Sequence, residues 1–199
     1  TPTMPNPVTC YSCHPDGASD GLAHSRQAPT MFAAGRSAPY GWSGGGASLT
    51  ALVSGTFSAH GVFGGSPPAG SVQMIADFIS AVEGPPSPFR GANGALSAAA
   101  QAGKLVFEGA AGCVQCHAAP DFIPLPPAPL TLGGGVGTGL VPANVPTLLG
   151  LWSSAPYLHD GSAATLLEVL EENVGDQHGT TAGLTAQQKA DLVEYLRSL

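Results

Sequence analysis

The chain has 199 residues, 43% of them hydrophobic and only 10% charged, with 28 glycines and 19 prolines. That apolar content is too high for a disordered chain, so short helices joined by long irregular connections are expected. A formal net charge of −7 argues against nucleic acid or anionic membrane surfaces as partners, and no apolar run approaches the ~20 residues that a membrane span needs.

The chain opens with Pro2, Pro5 and Pro7, which leave no room for a helix ahead of Cys10. No cleavable leader is visible at Thr1, so an exported chain is read here in its mature form. Cys10-Tyr-Ser-Cys13-His14 follows, and the same C-x-x-C-H pattern recurs as Cys113-Val-Gln-Cys116-His117. This is the attachment signature of c-type haem. Two thiols one turn apart take the two vinyl groups, and the next histidine reaches the iron. A four-cysteine zinc site needs no histidine after each pair, and a redox dithiol would not recur with the same suffix. All four cysteines are consumed, so the expected cofactors are two covalently bound haem c groups, with His14 and His117 on their irons. Haem of this kind is attached outside the bacterial cytoplasm, which points to a periplasmic or extracellular protein.

Further along, the chain repeats itself. Pro29-Thr30-Met31 and Ser37-Ala38-Pro39-Tyr40 match Pro146-Thr147-Leu148 and Ser154-Ala155-Pro156-Tyr157 at a shared offset of 117 residues. The same offset pairs Gly44 with Gly161, Ser48 with Thr165 and Leu49 with Leu166. The two haem motifs are offset by only 103 residues, so the second copy is longer, in a Pro- and Gly-rich insertion at 120–140. The first copy ends in a helix over 72–82, where Ala76-Asp77-Phe78-Ile79 matches Ala190-Asp191-Leu192-Val193. Residues 85–94 then read as a linker. A helix over 95–109 precedes the second haem motif, with Gly103 and Phe107 on one face. It resembles the first helix of small c-type cytochromes, which implies a close crossing against an aromatic of the last helix, here Tyr195. Thr185 to Gln188 is a capping-box start for the last helix. The expected fold is all-α, with two tandem cytochrome c-like helical domains at 1–84 and 95–199. The first lacks its N-terminal helix, and long Pro/Gly-rich loops join the elements.

An iron with one histidine is open unless a sixth ligand is found. His159 stands at the offset of 117 from Trp42, and a position that takes Trp in one copy is a poor ligand in the other. His60 in FSAHG and His178 in GDQHG sit one residue out of register, each after the helix that follows S-A-P-Y, and they are the expected sixth ligands. Met31 is matched by Leu148 and Met74 by Gln188, so both methionines read as packing residues. His24 has no counterpart and is assigned to solvent or a haem propionate. Tyr40 and Tyr157 are expected at a haem edge, and Trp42 and His159 to lend an N–H to a propionate or a backbone group.

Three stretches, GKLVFEGAAGCVQCH, VPTLLGLWSSAPYLHDGSAATLLEVL and LTAQQKADLVEYLRSL, resemble the bacterial dihaem cytochrome c peroxidase superfamily. In that superfamily an A-P-Y-x-H-D-G-S element precedes a helix beginning T-L-x-E, as Thr165 to Glu168 does here. The first copy looks more like dihaem modules that end longer secreted proteins. The peroxidases carry a long segment before their first haem motif and a Met ligand after T-L-x-E. Here the stretch LLEVLEENVGDQHG holds no Met, and His178 is the substitute.

The first reading is a single-electron carrier with two bis-His haems and no catalytic residues. Its redox partners would present a basic face, and other copies or domains would cover haem 1. The second is a dihaem peroxidase or oxygenase with one open haem, where His159-Asp160 or Glu108 would act in acid–base roles. The third is a haem-bearing module of a larger protein or filament.

Overall fold

The structure is a computed structural model that describes residues 9–22, 27–60, 67–124 and 144–199, with only the backbone of His60. His24, the His60 side chain and most of the 120–140 insertion lie outside the described residues. Helices and 3-10 turns make up the regular structure, and among the described residues there is no strand, only three isolated bridges. No described helix is long and apolar enough to cross a membrane.

Among the described residues five α-helices carry the fold: α1 (Leu49–His60), α2 (Ser71–Ala81), α3 (Ala98–Glu108), α4 (Leu166–Glu171) and α5 (Ala186–Arg197). In the second half α3 packs on α5 and α4 on α5. The helices start where side chains replace the missing backbone acceptors. Ser97 caps Ala100, and Thr165 with Glu168 and Thr185 with Gln188 form reciprocal capping boxes. The α3–α5 crossing depends on Gly103, where a Cβ would lie 1.9 Å from the Asp191 carbonyl oxygen. One turn on, Phe107 meets Tyr195 edge-on at 5.3 Å, the pair anticipated from the sequence. Leu192, Leu196, Leu166, Leu170 and Phe122 complete this core.

The first half has a smaller core, built by Leu49, Val53 and Phe57 of α1 against Ala76 of α2. Here one expectation is corrected. Met74, read as a packing residue, is 70% exposed, and Phe78 is 66% exposed, whereas its sequence counterpart Leu192 is fully buried. Leu192 lies where α3 crosses α5. α2 instead meets α1 through its Ala76 side.

Local structure repeats with the sequence. Tyr40 and Gly46 exchange backbone hydrogen bonds of 2.9 and 3.0 Å, as Tyr157 and Ala163 do at 2.7 and 3.5 Å. The Pro-Thr threonines act alike: Thr30 donates to Gly17 O and Thr147 to Asp121 O, each just beyond a C-x-x-C-H motif. The halves also meet reciprocally. Gln27 N–H donates to His159 O at 2.6 Å, and Asn144 N–H donates to Trp42 O at 2.8 Å. Both pairs are related by the offset of 117, the mutual contact that a two-fold arrangement has. Phe32 fills the junction, its ring against the α-carbons of Gly17, Gly84 and Gly150, where a methyl group would come within 3.0 Å.

The segment expected as a linker is packed onto the end of α5. Ser87 Oγ donates to Arg197 O and Arg90 Nε to Ser198 O, both at 2.6 Å. The Arg197 guanidinium lies 3.7 Å over the Phe89 ring.

Candidate functional site

The second C-x-x-C-H motif follows α3 through Gly112, whose φ of +65° suits glycine. A 3-10 turn over Cys113–Gln115 brings the chain round, and the His117 N–H donates to Cys113 O at 2.9 Å. Both cysteines and the histidine thereby sit on one turn. His117 is 7% exposed, and its Nδ1 lies 3.1 Å from Phe122 O. That carbonyl takes the Nδ1 proton and leaves Nε2 as the lone-pair nitrogen. Burial, followed by the neighbouring His178, pushes the His117 pKa down to about 4. Burial lowers that of His178 as well. Both imidazoles are therefore held neutral, the form that ligates metal.

His178 stands opposite, with ring centroids 6.2 Å apart and planes inclined at 52°. That is about the separation of two imidazoles bonded to one metal ion, at roughly 2 Å per bond. The loop carrying His178 lies over the haem motif. Thr180 N–H donates to Ala111 O at 2.9 Å, and a Cβ on Gly179 would sit 3.6 Å from Cys113 Sγ. Cys113 is half-buried, and loss of hydration pushes its thiol pKa up to about 11. A haem bonded to Cys113, Cys116 and His117 would therefore present its far face to His178, so these residues fit the group.

The first motif folds the same way. A 3-10 turn covers Cys10–Ser12, and His14 N–H donates to Cys10 O at 2.9 Å. It is more open than the second: Cys10 is exposed and His14 half-buried. Burial, then the nearby Asp20 and Cys10, raise the Cys13 pKa. His60 ends α1, and its side chain lies outside the described residues.

The S-A-P-Y residues occupy the junction between the halves. Trp42 and His159 meet edge-on with centroids 6.1 Å apart. Trp42 Nε1 donates to Gln27 O at 2.8 Å, a backbone group as anticipated. Tyr40 and Tyr157 are half-buried and reach back along their own turns, Tyr40 to Gly35 O at 3.4 Å and Tyr157 to Leu151 O at 3.2 Å. His159 Nδ1 and Trp152 Nε1 are buried with no protein partner. The ring brought against His117 is that of His178, while His159 faces Trp42.

Sequence reasoning missed Trp152, Asn173 and the Gln27/Asn144 pair. The last was within reach, since Gln27 and Asn144 share the offset of 117 and extend the Pro-Thr match by two positions. Asn173 carried only the weak signal of an asparagine just past a helix end.

Comparison with known proteins supports the same chemistry. A family described as "RoxA-like, cytochrome c-like" matches residues 144–174, the segment that includes Trp152, His159 and Asn173. The hydrazine synthase subunit gamma of Kuenenia stuttgartiensis is 31% identical, over 64% of this chain and 48% of that protein. The chain thus spans about half the length of this relative. Among solved structures, Kuenenia stuttgartiensis hydrazine synthase pressurized with xenon superposes with a TM-score of 0.78 at 23% identity, covering 97% of this chain and 81% of that one. A MauG-like protein associated with microbial copper homeostasis gives 0.75 at 22%, covering 97% and 82%. These two show a shared fold. Together the matches give a cytochrome c-like segment at 144–174 and a fold shared with the two solved structures.

Proposed function

We propose that the chain is a dihaem c-type cytochrome that passes single electrons in the bacterial periplasm or outside the cell. Haem 1 would be bonded to Cys10 and Cys13 with His14 on its iron, and haem 2 to Cys113 and Cys116 between His117 and His178. Residues 1–84 and 95–199 would form the two haem-bearing domains, with 85–94 strapped between them; the duplicated hydrogen bonds of the two halves support this division. Bound haem c supplies the one-electron iron couple, and the protein sets its potential through ligand identity and burial. His117, tethered by the Phe122 carbonyl, and His178, held by its loop, close both faces of the second site. Two histidines favour a lower potential than a Met/His pair. The unpartnered Nδ1 of His159 and Nε1 of Trp152 are proposed to donate to a haem propionate, with Tyr40, Trp42 and Tyr157 shaping the haem edges. His60 is proposed for haem 1 by analogy with His178. With a net charge of −7 the docking partner would be basic.

One observation carries this reading: the 6.2 Å approach of the His117 and His178 rings, whose planes are inclined at 52°. A second reading, an enzyme with an open iron at haem 1, is favoured by the similarity to a hydrazine synthase subunit and by the greater exposure of the first motif. Ferric optical and electron paramagnetic resonance spectra decide between them. Two low-spin haems insensitive to cyanide support the carrier. A high-spin signal that persists in His178→Ala and also occurs in the unmodified protein assigns an open iron to haem 1. His178→Ala itself should convert haem 2 to high spin, and an unchanged spectrum would refute His178 as its ligand.

A further inference from the structure

We propose that Asn173 is the positioning residue for His178, setting how firmly the imidazole is held in front of His117. This rests on reading His178 as the second ligand of haem 2. Asn173 lies just past α4, is 5% exposed, and spends its whole side-chain amide on the loop that carries His178. Its Oδ1 accepts the His178 N–H at 2.8 Å. Its Nδ2 lies 3.0 Å from His178 O, 3.0 Å from Gly179 O and 2.9 Å from Thr181 Oγ1. An amide has two N–H groups, so these three acceptors share them.

One side chain therefore grips the donor and the acceptor of the His178 backbone together. The peptide planes on both sides of His178 are fixed, and with them the direction of its Cα–Cβ bond. Asp176 completes the grip from the opposite side, accepting from Thr181 N–H at 2.7 Å and Ala182 N–H at 2.9 Å. Those two bonds hold its carboxyl below the usual carboxylate range. The loop has little apolar packing of its own, and Val174 beside Asn173 is exposed. Its shape depends on these hydrogen bonds and on the Thr180-to-Ala111 anchor.

The arrangement belongs to the second half. At the offset of 117, Asn173 is matched by Thr56, which lies inside α1 and donates to Leu52 O at 2.9 Å. There the helix runs on through the backbone of His60. The two candidate ligands thus hang from different devices, a clamped loop and a helix end.

The test uses the haem-loaded protein and the rate at which cyanide displaces the ligand of ferric haem 2, with His178→Ala as the reference for an open site. Asn173→Ala should retain both haems yet exchange at least ~10-fold faster than the parent, as loss of hydrogen bonds holding a ligand predicts. Added imidazole should restore a low-spin spectrum to the His178→Ala reference. Asn173→Asp, which keeps the acceptor and loses both donors, should fall between. If Asn173→Ala does not fold, Asn173→Asp and Thr181→Val provide the reading and should move the exchange rate in the same direction. Variants that lose thermal stability but exchange cyanide at the parental rate would reduce Asn173 to an ordinary structural residue and overturn the proposal. A low-spin haem 2 in His178→Ala would overturn the ligand assignment itself, and the proposal with it.

Discussion

Three histidines of the second half divide the work by their surroundings, although in the sequence they differ only in position. His117 has one nitrogen committed to Phe122 O, and His178 faces it from a loop held by the Asn173 side chain. His159 instead sits at the junction, with its carbonyl taken by Gln27 and its ring against Trp42. The adjacent Asp160 accepts the Ser162 N–H through Oδ1, closing a local turn. His159→Gln should therefore leave haem 2 low-spin in the ferric optical spectrum. Its stability cost should be modest, on the order of 1 kcal/mol by thermal unfolding. A high-spin haem 2 in that variant would place His159 on the iron. The repeat pointed to this division because Trp42 stands opposite His159 in the alignment and Trp cannot ligate iron. It could not reveal that the two side chains are also neighbours, since the contact crosses from one half to the other.

At the scale of elements, α3 and α5 form the strongest packing unit, and the contact at Gly103 determines how closely they cross. Gly103→Ala would place a methyl group 1.9 Å from Asp191 O, so the helices must move apart. Overpacking of this kind costs about 1–3 kcal/mol. The melting temperature of the haem-loaded protein should fall accordingly, while Gly183→Ala, which meets nothing within 4 Å, should leave it near the parental value. α2 shows how far helical patterning reaches. The sequence indicates a helix over 72–82, and the structure places it at Ser71–Ala81. Which of its faces is covered depends on a neighbouring helix, and pattern alone does not supply the neighbour. Met74, read as a packing residue, stands outward instead, as does Phe78, the counterpart of buried Leu192.

For the whole molecule, the segment 85–94 and the junction residues tie the two halves together. Composition marks this segment as a linker, because Pro and Gly are common in connections that span open solvent. Here the Ser87 and Arg90 bonds and the Phe89–Arg197 stack fasten it to the end of α5. Limited thermolysin digestion should spare it in the parent protein and cleave it in Arg90→Ala. Early cleavage in both would mean that the strap is loose. Arg36 adds an ionic contact across the halves, pairing with both Glu83 and Asp121. Its groups are partly exposed, so its contribution is small and screened by salt.

Residue order alone was sufficient for the chemistry that is local in sequence. A C-x-x-C-H turn, a capping box, an internal repeat and a helix bearing Gly103 and Phe107 are all contained in short windows, where spacing is geometry. It also singled out His178 as the ligand to propose, because the repeat compares two positions within one chain. Packing decided what depends on distant segments: the approach of His178 to His117, the outward face of α2, the strap on α5 and the reciprocal junction through Gln27 and Asn144. Each of these joins backbone groups or rings far apart in the chain, and side-chain period and composition hold no information about such partners until helices with definite faces are packed against one another.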